Sequence, residues 1–90
     1  MSDLADKIQA GAKVFDVRTP EEFSEEHFPN ATNIPVDQVQ ARLAEFGDKN
    51  AALVVYCASG SRSAYAARIL KMAGFTDVTN AGGLFDMPGY

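Results

Sequence analysis

The run from Ala52 to Tyr56 is the feature that most constrains the fold, because it is continuously apolar rather than alternating. A strand of this kind is buried on both faces, which is typical of a parallel sheet covered by helices. Apolar, β-prone segments at 13–17, 31–34 and 77–80 alternate with helix-forming segments along the chain. This order predicts an α/β fold with a parallel sheet and right-handed crossover connections.

Capping residues indicate where the first two helices begin. Asp3 can cap a short helix over 3–10, with Leu4 and Ile8 on one face. Thr19 precedes a proline and stands three residues before Glu22, which is the pattern of a capping box. The sequence therefore predicts a second helix that begins at residue 20 and ends before Pro29.

Two further helices are predicted in the second half of the chain. Asp37 can cap a helix that carries Val39, Leu43 and Phe46 on one stripe. The longest helix is predicted over 61–73, where it ends before a glycine. Its expected buried stripe consists of Ala66, Ile69, Leu70 and Ala73.

The chain of 90 residues is long enough for one hydrophobic core, so we expect a single domain over residues 1–90. Its net charge of −4 argues against nucleic acids and anionic membranes as partners. No apolar segment reaches membrane-spanning length, and the first residues lack the pattern of a secretory signal. A single cysteine excludes an internal disulfide, and a cytoplasmic protein is expected.

Cys57, the one cysteine of the chain, directly follows the apolar strand and precedes a loop of small residues. The carboxyl end of a parallel strand is where α/β proteins place their active sites. The amides of residues 58–63 can form a concave nest for an anion, and the following helix adds its N-terminal dipole. Both features favour the thiolate, which is the nucleophilic form of cysteine.

Gly60 and Arg62 favour a reactive cysteine over the inert buried thiol that an apolar strand would ordinarily indicate. Gly60 permits a left-handed turn, and a cation at a helix N-terminus indicates an anion to be bound. The sequence predicts Cys57 as the nucleophile. The predicted substrate-binding residues are Ala58, Ser59, Gly60, Ser61, Arg62 and Ser63.

Metal chemistry is a poor alternative, because one cysteine and one histidine cannot complete a closed zinc site. We predict neither a metal nor a cofactor. His27 is interpreted as a structural or surface residue, although a Cys–His catalytic pair stays open. The glutamates Glu21, Glu22, Glu25 and Glu26 are interpreted as the solvated face of a capped helix.

Four segments in the same order resemble the single-domain rhodanese (thiosulfate sulfurtransferase) family, and they cover almost the whole chain. They are Phe15-Asp16-Val17-Arg18-Thr19-Pro20-Glu21-Glu22-Phe23, His27 with Ala31-Thr32-Asn33-Ile34-Pro35, the loop 57–63, and 74–78 with 82–83. The chain departs from the family at Glu26, Phe28 and Asn30, which replace Gly, Ile and Gly. Asn30 tolerates the left-handed conformation, so we expect that turn to be kept.

The resemblance implies a rhodanese-like three-layer α/β/α fold, with a central four- or five-stranded mainly parallel sheet flanked by helices. The N-terminus is short for the small first strand of many members, which leaves the strand number open. The resemblance also implies that Cys57 takes a sulfane sulfur from thiosulfate or a similar donor and holds it as a persulfide. Arg62 and the loop amides would hold the oxyanion. The implied acceptors are cyanide, glutathione or a thioredoxin-like protein, and a monomer is expected.

Two other functions are compatible with the sequence. Related cysteine-dependent phosphatases and arsenate reductases have a loop with five residues between cysteine and arginine, whereas this chain has four. The shorter loop favours a cysteine that carries one extra sulfur. A persulfide carrier or regulatory module without turnover is the second alternative, and the intact cysteine and loop argue against a purely regulatory module.

An apolar cluster ends the chain, and it consists of Leu84, Phe85, Met87 and Tyr90. Packing against the sheet is the favoured interpretation. The alternative is a rim at the mouth of the active site where a protein acceptor docks.

Overall fold

The computed structural model describes residues 3–90, and its centre is a sheet of four parallel strands. The strand order is β2-β1-β3-β4, so the most apolar strand lies inside the sheet. The strands are β1 (Lys13–Asp16), β2 (Thr32–Asn33), β3 (Ala52–Cys57) and β4 (Asp77–Gly83). The predicted α/β fold with a parallel sheet is confirmed, and within residues 3–90 the sheet has four strands rather than five.

Side chains of β3 alternate between two hydrophobic cores, which explains its continuous apolar sequence. Leu53, Val55 and Cys57 face one core, whereas Val54 and Tyr56 face the other. All five are fully buried. Because successive side chains of a strand point to opposite faces, a strand covered on both faces has no solvent-exposed position.

The helices begin close to the predicted capping residues. They are α1 (Asp3–Gln9), α2 (Pro20–Glu25) and α3 (Ser61–Met72). Leu4 and Ile8 of α1 pack against the core that contains Tyr56. Thr19 and Glu22 form the predicted capping box at the start of α2. Asn30 adopts the expected left-handed conformation, with φ of 68°.

The predicted buried stripe of α3 is correct for two of its members. Ala66 and Leu70 are buried, whereas Ile69 and Ala73 are only partly buried and pack at the edge of the core. Ala67 joins Ala66 in the core that contains Cys57. The small alanine side chains bring this helix close to the sheet.

The helix predicted from Asp37 is wrong in type. The chain forms two 3₁₀ segments there, Val36–Gln38 and Gln40–Phe46, and Arg42 has non-helical backbone angles (φ −120°, ψ 31°). The first segment follows Pro35 and has no side-chain cap. Val39 and Phe46 are nevertheless buried as predicted, because two separate turns bring them to the same core.

A buried ion pair joins the end of β1 to the next residues of the chain. The Arg18 guanidinium donates to both carboxylate oxygens of Asp16, with its closest nitrogen 2.7 Å from Oδ2. Its Nη2 also donates to the carbonyl oxygen of Glu26 at 2.6 Å. Asp16 is fully buried and Arg18 is 7% exposed. Each charge therefore depends on the other for its solvation.

Replacing Asp16 by Ala is expected to destabilise the protein strongly, because it leaves the buried Arg18 without its counter-charge. Loss of one partner of a buried pair costs about 3–5 kcal/mol in free energy of unfolding. Urea denaturation followed by circular dichroism measures this change. Glu45→Gln is the matched control, since it removes the partner of Arg42 in an exposed pair and is expected to change little. Equal losses in the two variants would contradict the role of burial.

Candidate active site

Cys57 is the last residue of β3 and lies at the carboxyl edge of the parallel sheet. It is a free, fully buried thiol. Its position pairs with Gly83 of β4, after an irregularity in the pairing between Val55 and Cys57. The strand therefore delivers the thiol to the edge where α/β proteins bind their ligands.

Two backbone amides and one hydroxyl surround the Cys57 sulfur. The backbone amide of Gly60 donates to Sγ at 3.0 Å, and the amide of Ser63 donates at 3.4 Å. The Ser63 hydroxyl lies 3.3 Å from Sγ. Residues 58–63 thus fold back over the sulfur, and the start of α3 faces it. Amides of the loop, from Ser59, Gly60 and Ser63, thus point inward and converge on the sulfur itself.

Burial raises the pKa of the Cys57 thiol, because a buried thiolate loses its hydration. Hydrogen bonds from the Ser63 hydroxyl and from the amides of Ser63, Gly60 and Ser59 act in the opposite direction. The net result is a pKa below the ordinary value of a cysteine. The site therefore stabilises a thiolate in a place that excludes water.

Two glycines make the tight loop feasible. Gly60 has φ of +105°, the left-handed conformation predicted for it, and it packs on the backbone of Gly82. Gly83 lies directly beneath the carbonyl oxygen of Ala58, and a Cβ at position 83 would collide with that atom. The loop is therefore seated on the bare backbone of β4.

Ser63, one of the predicted substrate-binding residues, is fully buried beneath the loop. Its hydroxyl reaches Asn80 Oδ1 at 2.6 Å and the carbonyl oxygen of Gly60 at 3.2 Å. Asn80 Nδ2 donates to the same carbonyl at 3.2 Å. Ser63 and Asn80 thus shape the loop from inside, and no local pattern pointed to Asn80.

Arg62 makes an ion pair that the sequence did not reveal. Its Nη1 donates to Glu22 Oε1 at 2.8 Å, and its Nη2 donates to Oε2 at 3.1 Å. Glu22 of α2 is therefore one anion that this arginine binds. The interpretation of Glu22 as part of a solvated helix face is wrong, whereas Glu21, Glu25 and Glu26 are exposed as expected.

Glu22 is held by two sets of donors. Hydrogen bonds from Arg62, and then from the Thr19 backbone amide, lower the pKa of Glu22 to about 2. Hydrogen bonds to Glu22 raise the pKa of Arg62 against the effect of burial, and the negative charge of Cys57 adds to the increase. The pair therefore stays ionised throughout the neutral and mildly acidic range.

A cleft of about 310 Å³ opens beside the loop. Its walls come from α2, from the loop and from the segment after β4. The lining residues are Arg18, Glu22, Glu25, Glu26, Ala58, Leu84 and Phe85. Ala58, Ser59 and Ser61 are exposed at the surface of the loop, where they can meet a ligand.

The C-terminal apolar cluster divides into two parts. Leu84 and Met87 are buried in the core that contains Tyr56, as the packing interpretation predicts. Phe85 is 70% exposed and lines the cleft, and its ring contacts Tyr90 edge-on at 5.8 Å. Phe85 and Tyr90 are therefore the exposed part of the cluster, and Phe85 lines the cleft.

His27 is an exposed residue of the surface. Its ring stacks on Phe23 at 3.8 Å, and its Nδ1 lies 2.8 Å from the Phe23 carbonyl oxygen. Across residues 3–90, no group of three or more His, Cys, Asp or Glu side chains could hold a metal ion. No helix in that part of the chain is long and apolar enough to cross a membrane.

The fold and site define a class of α/β domains in which a buried cysteine ends a parallel strand beneath a loop of inward-facing amides. A family model described as a rhodanese-like domain matches residues 1–86. The chain belongs to the rhodanese-like domain family, and it is a transferase of the rhodanese type, as the resemblance implied.

Relatives and solved structures agree with this assignment. The chain is 47% identical over 73 residues to the thiosulfate sulfurtransferase PspE of Escherichia coli, covering 80% of this chain and 70% of that protein. It is 39% identical over 67 residues to the putative sulfur carrier protein YrkF of Bacillus subtilis, covering 74% of this chain but 36% of the relative. A structure of rhodanese with anions from E. coli matches with a TM-score of 0.82 and 43% identity, covering 87% of this chain and 93% of that one.

Replacing Ser63 by Ala is expected to raise the pKa of Cys57, because the thiolate loses its side-chain hydrogen bond. A higher pKa leaves less thiolate at a given pH. The rate at which iodoacetamide alkylates Cys57 is therefore expected to rise at higher pH in the variant than in the wild type. The pH dependence of that rate measures the shift. Ser61→Ala is the control, since Ser61 is exposed and is expected to leave the profile in place. Identical profiles for wild type and Ser63→Ala would contradict this role of the hydroxyl.

Proposed function

We propose that this protein transfers a sulfane sulfur from thiosulfate, or a similar donor, to a thiophilic acceptor through a persulfide on Cys57. The observation that carries the proposal is the buried Cys57 sulfur, which accepts hydrogen bonds from two amides and lies 3.3 Å from the Ser63 hydroxyl at the edge of an open cleft. Such an environment favours a thiolate before the reaction and a charged persulfide after it. The relative PspE, named a thiosulfate sulfurtransferase, supports the choice of donor.

The first half-reaction needs no general acid. The Cys57 thiolate attacks the outer sulfur of thiosulfate, a new S–S bond forms, and the bond to the sulfonate sulfur breaks. The electron pair of the broken bond leaves on sulfite, which departs without protonation. Ala58, Ser59, Ser61 and Arg62 contact the oxyanion group in this proposal, while Gly60 and Ser63 hold the reacting sulfur.

The second half-reaction restores the thiolate. An acceptor nucleophile attacks the outer sulfur of the persulfide, and the electron pair of the S–S bond returns to Cys57. Cyanide then leaves as thiocyanate, and a thiol such as glutathione leaves as its persulfide. A cytoplasmic monomer with a single domain over residues 1–90 stays a prediction that accompanies this proposal.

A persulfide carrier is the second candidate, and the relative named a putative sulfur carrier protein favours it. A carrier would use the same Cys57 persulfide but would receive its sulfur from a partner enzyme rather than from thiosulfate. The support for a phosphatase or arsenate reductase is limited to the presence of a cysteine and an arginine in the loop. Loading from thiosulfate separates these functions.

Incubation with thiosulfate is expected to add the mass of one sulfur atom to the wild-type protein and nothing to Cys57→Ser. Thiocyanate formation from thiosulfate and cyanide is expected to fall to background in the same variant, because only a thiolate reaches the donor sulfur. Intact-protein mass spectrometry and a thiocyanate assay measure the two effects. The variant replaces sulfur by oxygen at a buried site, so its thermal denaturation is recorded as the control for folding.

Two results would overturn the choice of thiosulfate. Loading of Cys57 only by a desulfurase partner would favour the carrier. Phosphatase turnover without any gain of sulfur would favour the phosphatase alternative.

The exposure of Phe85 supports the proposal that one acceptor is a protein. Its ring is exposed at the wall of the cleft, close to Ala58 of the loop. Exposed aromatic rings are enriched where proteins bind one another. The cleft therefore combines a buried reactive sulfur with an apolar rim, which suits a thioredoxin-like acceptor whose own cysteine projects from its surface.

Phe85→Ser is expected to slow sulfur transfer to thioredoxin and to leave transfer to cyanide unchanged. Removal of an aromatic anchor from an interface typically costs at least about fivefold in kcat/KM for the protein acceptor. Persulfide discharge followed with both acceptors gives the two rates. Tyr65→Ser is the matched control. Tyr65 is a similarly exposed aromatic side chain, but it lies on α3 beside Gln40 and Met72 and does not line the cleft. Similar losses in both variants, or with both acceptors, would argue against docking at Phe85.

A further inference from the structure

Arg62, the cation nearest the loop in sequence, is already occupied within the protein. Two of its nitrogens, Nη1 and Nη2, bind the two carboxylate oxygens of Glu22 in a forked arrangement. Both side chains are only 34% exposed. A guanidinium bound in this way has lost the face that matches an oxyanion best, although its remaining N–H groups stay available.

Glu22 is not free to leave this pair. The carboxylate is also the third residue of the α2 capping box, where Oε1 accepts from the Thr19 amide at 2.9 Å and from the Thr19 hydroxyl at 3.2 Å. Rotation of the side chain away from Arg62 would break the cap at the same time. The capping box therefore holds the negatively charged Glu22 carboxylate against the Arg62 guanidinium.

The charges around the cleft reinforce this effect. Arg18, which lines the cleft, is bound by both carboxylate oxygens of Asp16. Glu25 and Glu26 add negative charge to the same wall. Arg18 in the wall and Arg62 beside the loop are thus each matched by a carboxylate, so the electrostatic attraction for a small dianion is weak.

Weak attraction of the oxyanion would favour turnover in the proposed sulfur transfer, and the inference rests on that function. Thiosulfate and the product sulfite present the same kind of oxyanion to the loop. A site that held thiosulfate tightly would also hold sulfite tightly, and bound sulfite would block the acceptor and reverse the reaction. Turnover gains only when binding of the oxyanion stays weak enough for the product to leave.

We propose that Glu22 is a positioning residue that binds Arg62 and weakens oxyanion binding at the Cys57 loop, so that sulfite is released before the acceptor arrives. Glu22 does not touch the reacting sulfur in this proposal. It acts through the charge and orientation of Arg62. The same carboxylate thereby links the cap of α2 to the affinity of the active site.

Glu22→Gln tests this role. Glutamine serves at the third position of a capping box, so the start of α2 is kept. The KM for thiosulfate and the inhibition constant of sulfite are both expected to fall by about three- to fivefold, the scale of a partly exposed ion pair. The turnover number is expected to fall rather than rise, since sulfite leaves more slowly. Steady-state kinetics with cyanide, with and without added sulfite, give all three quantities.

Glu21→Gln is the matched control. It makes the same change of charge on the adjacent residue of α2, which is exposed and outside the cleft wall. Tightening in Glu21→Gln as large as in Glu22→Gln would assign the effect to net charge and overturn the proposal. The double variant Glu22→Gln with Arg62→Ala is expected to lose the gain, because the released guanidinium is its source. A gain that survives without Arg62 would also overturn it.

A titration of sulfite into the sulfur-free protein separates this inference from the proposed function. Calorimetry measures that binding without turnover, and tighter binding by Glu22→Gln than by wild type is expected. If thiosulfate fails to load Cys57 but sulfite binding still tightens, the donor is wrong and the role of Glu22 stands. Unchanged or weaker sulfite binding would overturn the role of Glu22 whatever the donor.

Discussion

The burial of the Cys57 sulfur is the constraint on which the rest of the site depends. Cys57 has no exposed surface, so the protein must replace water around the sulfur whenever the thiol ionises. Gly60 and Ser63 supply amides for this purpose, and those amides can point inward only if the loop turns sharply and a helix begins at once. The left-handed Gly60 and the start of α3 at Ser61 follow from that requirement.

The sheet solves the second half of the problem, which is to present a buried atom to a ligand. Both cores pack against β3, and Cys57 is the last residue of this strand, so its sulfur lies at the edge of the sheet. The neighbouring strand β1 ends at the buried pair of Asp16 and Arg18. Arg18 in turn binds the carbonyl oxygen of Glu26 just after α2. The cleft wall that faces the loop is therefore attached to the sheet by ionic hydrogen bonds rather than by apolar contact alone.

Features that arise from neighbouring residues could be predicted from the sequence. The capping box of Thr19 and Glu22, the turn at Gly60 and the doubly buried strand all follow from short patterns. The backbone of segment 36–46 could not be predicted, because its apolar spacing fits one helix as well as two 3₁₀ segments with a kink at Arg42 in the second. Periodicity reports which side chains face the core, and it does not report how the backbone brings them there.

Features that join distant residues were missed or placed wrongly. Glu22 and Arg62 are 40 positions apart, and Ser63 and Asn80 are 17 apart, so no local pattern links them. A clue was present for the first pair, since an arginine at a helix N-terminus calls for an anion. The sequence indicates an anion at Arg62, but only the fold shows that Glu22 binds two of its nitrogens.

The contact between Gly83 and Ala58 ties two functions of the molecule together. Gly83 supports the loop above Cys57 and is followed directly by Leu84 and Phe85, which form a wall of the cleft. Backbone pressed on backbone leaves no flexible side chain to absorb movement. If a partner docks at Phe85 as proposed, a push on that ring would also move the floor of the sulfur site. Gly83, which has no side chain, would then couple docking to reactivity.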